Sequence, residues 1–149
     1  MLVSTMAIGL RAVLVTIFVL IVHAFAILND VYTTIPWFDA MMHLAGGFAM
    51  GLVAVALWKA LVLRAHIEGR GRLASFAPMA VQFMVVLGFV AMIGIGWEWF
   101  EFVLDHTLSR FIDNYGWAQA SVQDTMADFF CDLVGGFAAF VLAKVARWL

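Results

Sequence analysis

Charged residues are scarce in this sequence. Only 12% of its 149 residues are Asp, Glu, Lys or Arg, whereas 66% are hydrophobic, and the mean hydropathy is +1.04. Soluble domains carry about twice that charged fraction. A chain of this length has no soluble core large enough to enclose so much apolar surface. The composition therefore excludes a soluble fold and predicts one integral membrane domain over residues 1–149.

The sequence also lacks a basic cluster and a second cysteine. The net charge is −2 and no dense cluster of Lys and Arg occurs, which excludes the usual basis of nucleic-acid binding. The single cysteine, Cys131, leaves no possibility of an internal disulfide. What the sequence does have is long apolar runs, and these determine its fold class.

Four segments are long and apolar enough to cross a membrane, which takes roughly 20 residues. They cover approximately residues 6–28, 38–63, 78–104 and 121–148. We therefore predict an all-α polytopic membrane protein, a bundle of four transmembrane helices. Ser121 suits the N-cap of the last helix, with Asp124 three residues later as its capping partner.

Basic residues are distributed unevenly among the predicted loops. The first and third loops hold only Arg110. The other basic residues lie in the N-terminal region, the second loop or the C-terminal region: Arg11, Lys59, Arg64, Arg70, Arg72, Lys144 and Arg147. Because short cytoplasmic loops are enriched in Lys and Arg, both termini are predicted to be cytoplasmic. Nine of the ten acidic residues then fall toward the outer side.

The acidic residues recur at helical spacing near the outer ends of three predicted helices. The series are Asp39 with His43, Glu98 with Glu101, and Asp124 with Asp128 and Asp132. Residues three or four apart share one face of a helix. Small residues such as Gly46 and Gly135 continue these stripes, so the polar faces are also the predicted packing faces. An ionised carboxylate inside a membrane costs a few kcal/mol or more, which marks these acids as candidate functional residues.

Such a cluster needs positive charge, and only Arg110 lies on the same side. Burial can neutralise two or three carboxyl groups, but five or six favour a bound cation. Helical bundles hold divalent metals with carboxylates and His at this spacing, and oxygen-rich ligation favours Mg²⁺, Mn²⁺, Ca²⁺ or Fe²⁺ over Zn²⁺. The predicted metal ligands are His43, Glu98, Glu101, Asp124, Asp128 and Asp132. His43 and Asp39 are the candidate general acid or base.

Structural roles compete with these functional ones. Asp39 and Asp124 lie near helix N-termini, where a carboxylate caps the helix or interacts with its dipole. For His43 the structural alternative is a hydrogen bond to a carbonyl group within the bundle. Asp105 and His23 are predicted to be interfacial.

The order Asp39-x-x-x-His43, Glu98-x-x-Glu101 and Asp124-Thr125-x-x-Asp128, followed by Gly135-Gly136, resembles the VanZ-like and DUF2238 (YjdF-type) small bacterial membrane proteins. The resemblance covers approximately residues 37–136. It implies a polytopic protein of the bacterial plasma membrane and cell envelope, without implying a reaction. The polar set that it carries over is Asp39, His43, Glu98, Glu101, Asp124 and Asp128. Asp132 and the loop before Asp124 depart from the family pattern.

Three functions are compatible with these features, and whether the protein is an enzyme stays open. The first is metal-dependent chemistry on a lipid or envelope phosphate. The second is a non-catalytic accessory role in a larger membrane complex. The third is transport of protons or divalent cations, which the nearly apolar inner halves of the helices disfavour. The expected partners are membrane lipid, a lipid-like substrate and a homo-oligomer or larger complex.

Overall fold

A computed structural model of the chain describes residues 2–68, 78–108, 111 and 118–149. Over these residues the chain forms four long helices and a short one, with no strand: α1 (Leu2–Leu28), α2 (Val31–Thr34), α3 (Phe38–Ile67), α4 (Met79–Leu108) and α5 (Val122–Val145). Each long helix has the length and hydropathy needed to cross a membrane. The predicted all-α fold with four transmembrane helices is confirmed.

Two helices continue about one turn beyond the predicted spans. α3 runs to Ile67 and α4 to Leu108. Hydropathy ends the predicted second span at Arg64, but a helix needs no hydrocarbon to continue, and Arg64 and His66 in its last turn suit the negative end of the helix dipole. The short helix α2 was not predicted. The basic residues Arg70, Arg72 and Arg110 lie outside the described residues.

Helix α3 is the centre of the bundle, since it contacts α1, α4 and α5, and α4 also contacts α5. The α3–α5 contact is backbone to backbone. A Cβ atom on Gly47 would lie 2.6 Å from Asp132 Cα, and one on Gly135 would lie 2.6 Å from Phe48 N. Only glycine permits this approach, which agrees with the predicted packing role of Gly135. The same prediction is wrong for Gly46, where a Cβ atom would have nothing within 4 Å, because the neighbouring Gly47 faces α5 instead.

The two ends of the bundle differ in content. We call the end where α1 and α4 finish and α3 and α5 begin the acidic end, and the other the basic end. At the basic end the helices enclose an apolar core without a polar side chain among its members: Ile8, Ala54, Val55, Val86, Phe140 and Ala143. The charged side chains of this end lie outside the core, as in the exposed Arg64–Glu68 pair.

Helix α5 begins and ends with defined caps. Ser121 Oγ accepts a hydrogen bond from Asp124 N, and Asp124 Oδ2 accepts one from Ala120 N, so the predicted N-cap is confirmed. The predicted fourth span reaches residue 148, but the helix stops at Val145. Arg147 adopts a left-handed backbone with φ 57°, and Trp148 N donates to Ala143 O, which is a Schellman ending.

Candidate metal centre

His43 lies at the centre of the acidic cluster. It projects from α3 near the acidic end and is 6% exposed. Its Nε2 atom lies 3.9 Å from Asp39 Oδ1, 3.9 Å from Glu98 Oε1 and 4.0 Å from Asp128 Oδ1. These three carboxylates come from α3, α4 and α5. One imidazole nitrogen thus faces three acids, each carried by a different helix.

The other ring nitrogen of His43 has a partner of its own. His43 Nδ1 lies 3.4 Å from Asp132 Oδ1. Space for the Asp132 side chain comes from Gly94, since a Cβ atom there would overlap Asp132 Oδ2 and lie 3.4 Å from Asp132 Cγ. A carboxylate on one nitrogen of an imidazole fixes the ring so that the opposite nitrogen is free to bind a metal. Asp132 therefore orients the His43 ring through Nδ1, whereas the other acids face Nε2.

Glu98 and Glu101 complete the cluster on α4. Both are buried, at 3% and 8% exposure. Glu98 Oε2 accepts a hydrogen bond of 3.0 Å from Gln119 Nε2, and Glu101 Oε1 accepts one of 2.8 Å from Trp97 Nε1. Each glutamate is therefore oriented through one oxygen.

Two oxygens in this buried region have no hydrogen-bond partner among the described residues, Glu98 Oε1 and Asp132 Oδ2. Leaving such an atom buried and unpaired costs about 1–3 kcal/mol, more if it is charged. Glu98 Oε1 is also the atom that faces His43 Nε2. A buried, unpaired oxygen that faces His43 and its neighbouring acids is typical of a cation site.

Positive charge is otherwise lacking. The cluster has five carboxylates: Asp39, Glu98, Glu101, Asp128 and Asp132. Among the described residues, His43 is the only basic group within 4.0 Å of any of them, and it lies that close to all but Glu101. Even a protonated His43 would leave the cluster strongly negative if all five were ionised. Either several acids keep their protons, or a cation supplies the charge.

The spacing suits a cation. Ligand atoms lie within 4.8 Å of one another in two groups, Asp39–His43–Asp128 and His43–Glu98–Glu101. Around an octahedral ion with bonds near 2.1 Å, neighbouring ligand atoms are roughly 3.0 Å apart and opposite ones about 4.2 Å apart. The distances from His43 Nε2 to its three acids, 3.9–4.0 Å, are close to the larger of these values, which suits one oxygen opposite His43, and the other two would have to move closer by about 1 Å. The two groups share His43, and neither contains all of the acids.

Two other acids near the cluster have structural partners. Asp105 is 1% exposed and accepts hydrogen bonds of 2.9 Å from Ala118 N and Gln119 N. These hydrogen bonds connect the turn before α5 to the end of α4. The prediction from the sequence was that Asp105 lies at the membrane interface. Asp124 caps α5, which was the structural alternative for that residue, and neither metal-compatible group includes it.

On the α1 side, three aromatic residues lie next to the cluster: His23, Tyr32 and Trp97. The Tyr32 hydroxyl lies 2.6 Å from His23 Nδ1, and the His23 ring meets Trp97 edge-on with centroids 5.2 Å apart. Tyr32 belongs to α2, outside the spanning helices. Burial, followed by the charges of Asp39 and Glu101, raises the pKa of Tyr32 above its usual value, so the phenol stays neutral.

The structure thus brings together six of the residues singled out in the sequence: Asp39, His43, Glu98, Glu101, Asp128 and Asp132. Sequence reasoning missed Gln119 and Tyr32. Gln119 lies in a loop with no periodicity, and its role depends on the turn that Asp105 holds. Nothing in the local sequence of Tyr32 links it to His23.

Fold and centre together define a class: small polytopic membrane proteins with a His-carboxylate cluster enclosed by the bundle. A family model described as "Predicted membrane protein (DUF2238)" matches residues 4–148. The chain belongs to the DUF2238 family. This confirms the DUF2238 part of the resemblance and extends it beyond residues 37–136, whereas the VanZ-like and YjdF-type parts stay predictions. No curated protein and no solved structure matches the chain.

Proposed function

We propose that this protein binds one divalent metal ion at the acidic end of its transmembrane bundle. His43 Nε2, Asp39, Glu98 and Asp128 supply the ligands, Glu101 lies within reach as a further one, and Asp132 orients His43. The observation that carries the proposal is the meeting of three carboxylate oxygens from three helices within 4.0 Å of one imidazole nitrogen. Oxygen-rich ligation favours Mg²⁺, Mn²⁺, Ca²⁺ or Fe²⁺.

The chemistry that suits such an ion is polarisation of a phosphoryl oxygen or activation of water. The substrate class is a lipid or envelope phosphate, since the site lies within helices that are surrounded by lipid. Because Asp39 Oδ1 faces His43, the other oxygen of this carboxylate is the candidate general acid or base. The Asp39 side chain is 27% exposed, against 5% or less for His43, Glu98 and Asp128, so it alone among them exchanges protons with the surroundings easily.

Transport is disfavoured by the packing at the basic end. Val55 and Val86 are at most 1% exposed and pack with Phe140. Among the described residues this core offers an ion no polar group on the way to the other face. A charged group without such partners is costly in the membrane interior.

The centre is proposed to face the outside of a bacterial plasma membrane, with both chain termini in the cytoplasm. The support is the placement of Arg11, Lys59, Arg64 and Lys144 away from the acidic end, together with the positive-inside rule. Fusions of alkaline phosphatase and green fluorescent protein to the C-terminus measure this. An active phosphatase with a dark fluorescent protein would contradict it.

Elemental analysis of the purified protein tests the metal proposal. The wild-type chain, dialysed against Mn²⁺ and then against metal-free buffer, is expected to retain about one ion per chain. Glu98→Gln and Asp128→Asn each remove one anionic ligand and are expected to lose most of it, since a lost ligand weakens the site by far more than tenfold. Glu68→Gln is the matched control, because Glu68 pairs with Arg64 at the basic end.

Each variant must elute as a single species and keep its helical circular dichroism, so that metal loss is not a consequence of unfolding. Full retention of the ion by both acidic-end variants would overturn the ligand assignment. Retention of the ion together with metal-dependent turnover of a lipid phosphate would support the enzyme. Retention without turnover, in a chain that co-purifies with a stable partner, would favour the accessory role.

A further inference from the structure

A groove runs along α4 and α5 on the side of the bundle. Its volume is about 640 Å³, within the range of ligand-binding pockets. It is lined by Ile95, Glu98, Trp99, Phe102, Val103, Gln119, Thr125 and Phe129. A smaller cavity of about 200 Å³ shares Ile95 and Phe129 with it and reaches Asp132.

The lining of the groove combines three polar residues, Glu98, Gln119 and Thr125, with an otherwise apolar wall. Along α4, apolar side chains lie on both sides of Glu98, with Ile95 deeper in the bundle and Phe102 nearer the acidic end. The outer edge is open, since Trp99 is 75% and Val103 58% exposed. In a membrane these residues of a spanning helix face hydrocarbon, so a molecule enters this groove from the lipid phase.

Glu98 belongs both to the groove and to the metal centre. One of its oxygens holds Gln119 in the groove wall, and the other is buried, unpaired and 3.9 Å from His43 Nε2. The adjoining cavity is lined by Asp132, whose Oδ2 is also buried and unpaired. The groove and the adjoining cavity are thus each lined by one of the two carboxylates that have a buried oxygen without a hydrogen-bond partner among the described residues.

We propose that this groove holds a hydrocarbon chain of a membrane lipid whose phosphate headgroup completes the coordination of the ion bound by Glu98 and His43. This proposal rests on the metal site proposed above. No Lys or Arg is among the described residues that line the groove, so an anionic headgroup depends on the ion for its positive charge. Mg²⁺ suits a phosphate headgroup, since it is usually bound by protein carboxylates together with phosphate oxygens, and Mn²⁺ prefers the same kinds of ligand.

Native mass spectrometry of the full chain in detergent tests the proposal. The probes are dioleoyl phosphatidic acid and dioleoylglycerol, which share their chains and differ in the phosphate. We expect the Mn²⁺-loaded protein to bind the phosphatidic acid, and to bind it about tenfold less after removal of Mn²⁺ with a chelator. Dioleoylglycerol is expected to bind equally weakly in both states.

Two tryptophan variants separate the groove from the metal. Ile95→Trp fills the groove and is expected to lower phosphatidic acid binding about tenfold while the protein keeps its Mn²⁺. Ile93→Trp is the matched control, because Ile93 lies two residues away on α4, is 39% exposed and lines neither cavity.

The outcomes distinguish the two proposals. If the Ile95→Trp protein retains Mn²⁺ and binds phosphatidic acid as well as the wild type does, the proposed lipid site in the groove is wrong. The metal site is not contradicted by that result. Equal phosphatidic acid binding with and without Mn²⁺ would overturn the headgroup assignment. A wild-type chain that holds no Mn²⁺ contradicts the metal site itself, and this inference falls with it.

Discussion

The acidic and basic ends of this bundle are built from the same helices but differ in whether their charged side chains are buried or exposed. At the basic end the charged side chains lie at the surface, as Arg64 and Glu68 do, and the interior is apolar. At the acidic end Glu98, Asp128 and Asp132 are each at most 6% exposed and turned inward. Surface charge at a helix end is ordinary in membrane proteins.

Enclosed charge is costly and needs a reason. At the basic end the four helices share an apolar core, and no buried acidic side chain lies there among the described residues, so close packing of the helices does not require the acids at the other end. The difference between the ends therefore supports the proposal that the function lies at the acidic end.

The contact that both ends depend on is the one between α3 and α5, and the largest expected effect lies there. In Gly47→Ala the new Cβ would meet the backbone of Asp132, which cannot rotate away as a side chain can. Overpacking of this kind costs about 3 kcal/mol or more. Thermal unfolding in detergent is expected to show a large loss of stability.

Gly46→Ala is the control for that substitution, because a Cβ atom at Gly46 has nothing within 4 Å. Replacing a glycine inside a helix there is expected to be neutral or to stabilise by about 0.5–1 kcal/mol. Equal unfolding temperatures for the two variants would show that the backbone contact does not limit stability.

A smaller effect is expected at Asp132, and it sharpens the distinction between ligands and supporting groups. Asp132→Asn keeps an acceptor near His43 Nδ1 but removes its charge, so Mn²⁺ affinity should fall about 10–100-fold while the stoichiometry is kept at saturation. Competition titration against a chelator measures this, with Glu68→Gln at the basic end as the unchanged reference. Loss of the ion even at saturating Mn²⁺ would instead make Asp132 a direct ligand.

The smallest effect concerns alkaline pH and Tyr32. The folded protein raises the pKa of Tyr32 above the value of about 10 in an unfolded chain, so above pH 10 the native state holds a proton that the unfolded state loses. Stability is therefore unaffected by this group below pH 10 and declines as the pH rises beyond it.

Unfolding of the wild type and of Tyr32→Phe between pH 8 and pH 11 measures that decline. The variant is expected to lose about 1 kcal/mol at every pH, because its hydrogen bond with His23 is gone, and to show a shallower fall above pH 10. Parallel curves for the two proteins would contradict the shifted pKa of Tyr32.

The helical periodicity was sufficient to predict the spans and the inward face of each stripe. Hydropathy fixes where α3 and α4 are apolar, and the spacing of Asp39 to His43 and of Asp128 to Asp132 fixes which residues share a side. The pattern placed three acidic stripes at one height and facing inward, but it did not specify that they meet at His43, because periodicity does not determine which helices are neighbours.

Roles that depend on contacts between elements were not accessible in the same way. Asp124 and Asp128 look alike in sequence, yet one completes a helix cap and the other faces His43. Asp105 differs from Glu101 only by one helical turn, and its two backbone partners belong to a turn with no sequence signature. Which nitrogen of His43 meets Asp132 is a matter of side-chain rotamer, which spacing does not determine.

The backbone contact between α3 and α5 has a consequence for motion. Gly47, Gly51 and Gly135 bring these helices together at several points, so α3 and α5 cannot slide or separate without losing all of these contacts. At the proposed metal site, Asp39, His43 and Asp128 would then keep their spacing because these two helices carry them, whereas Glu98 and Glu101 would move with α4.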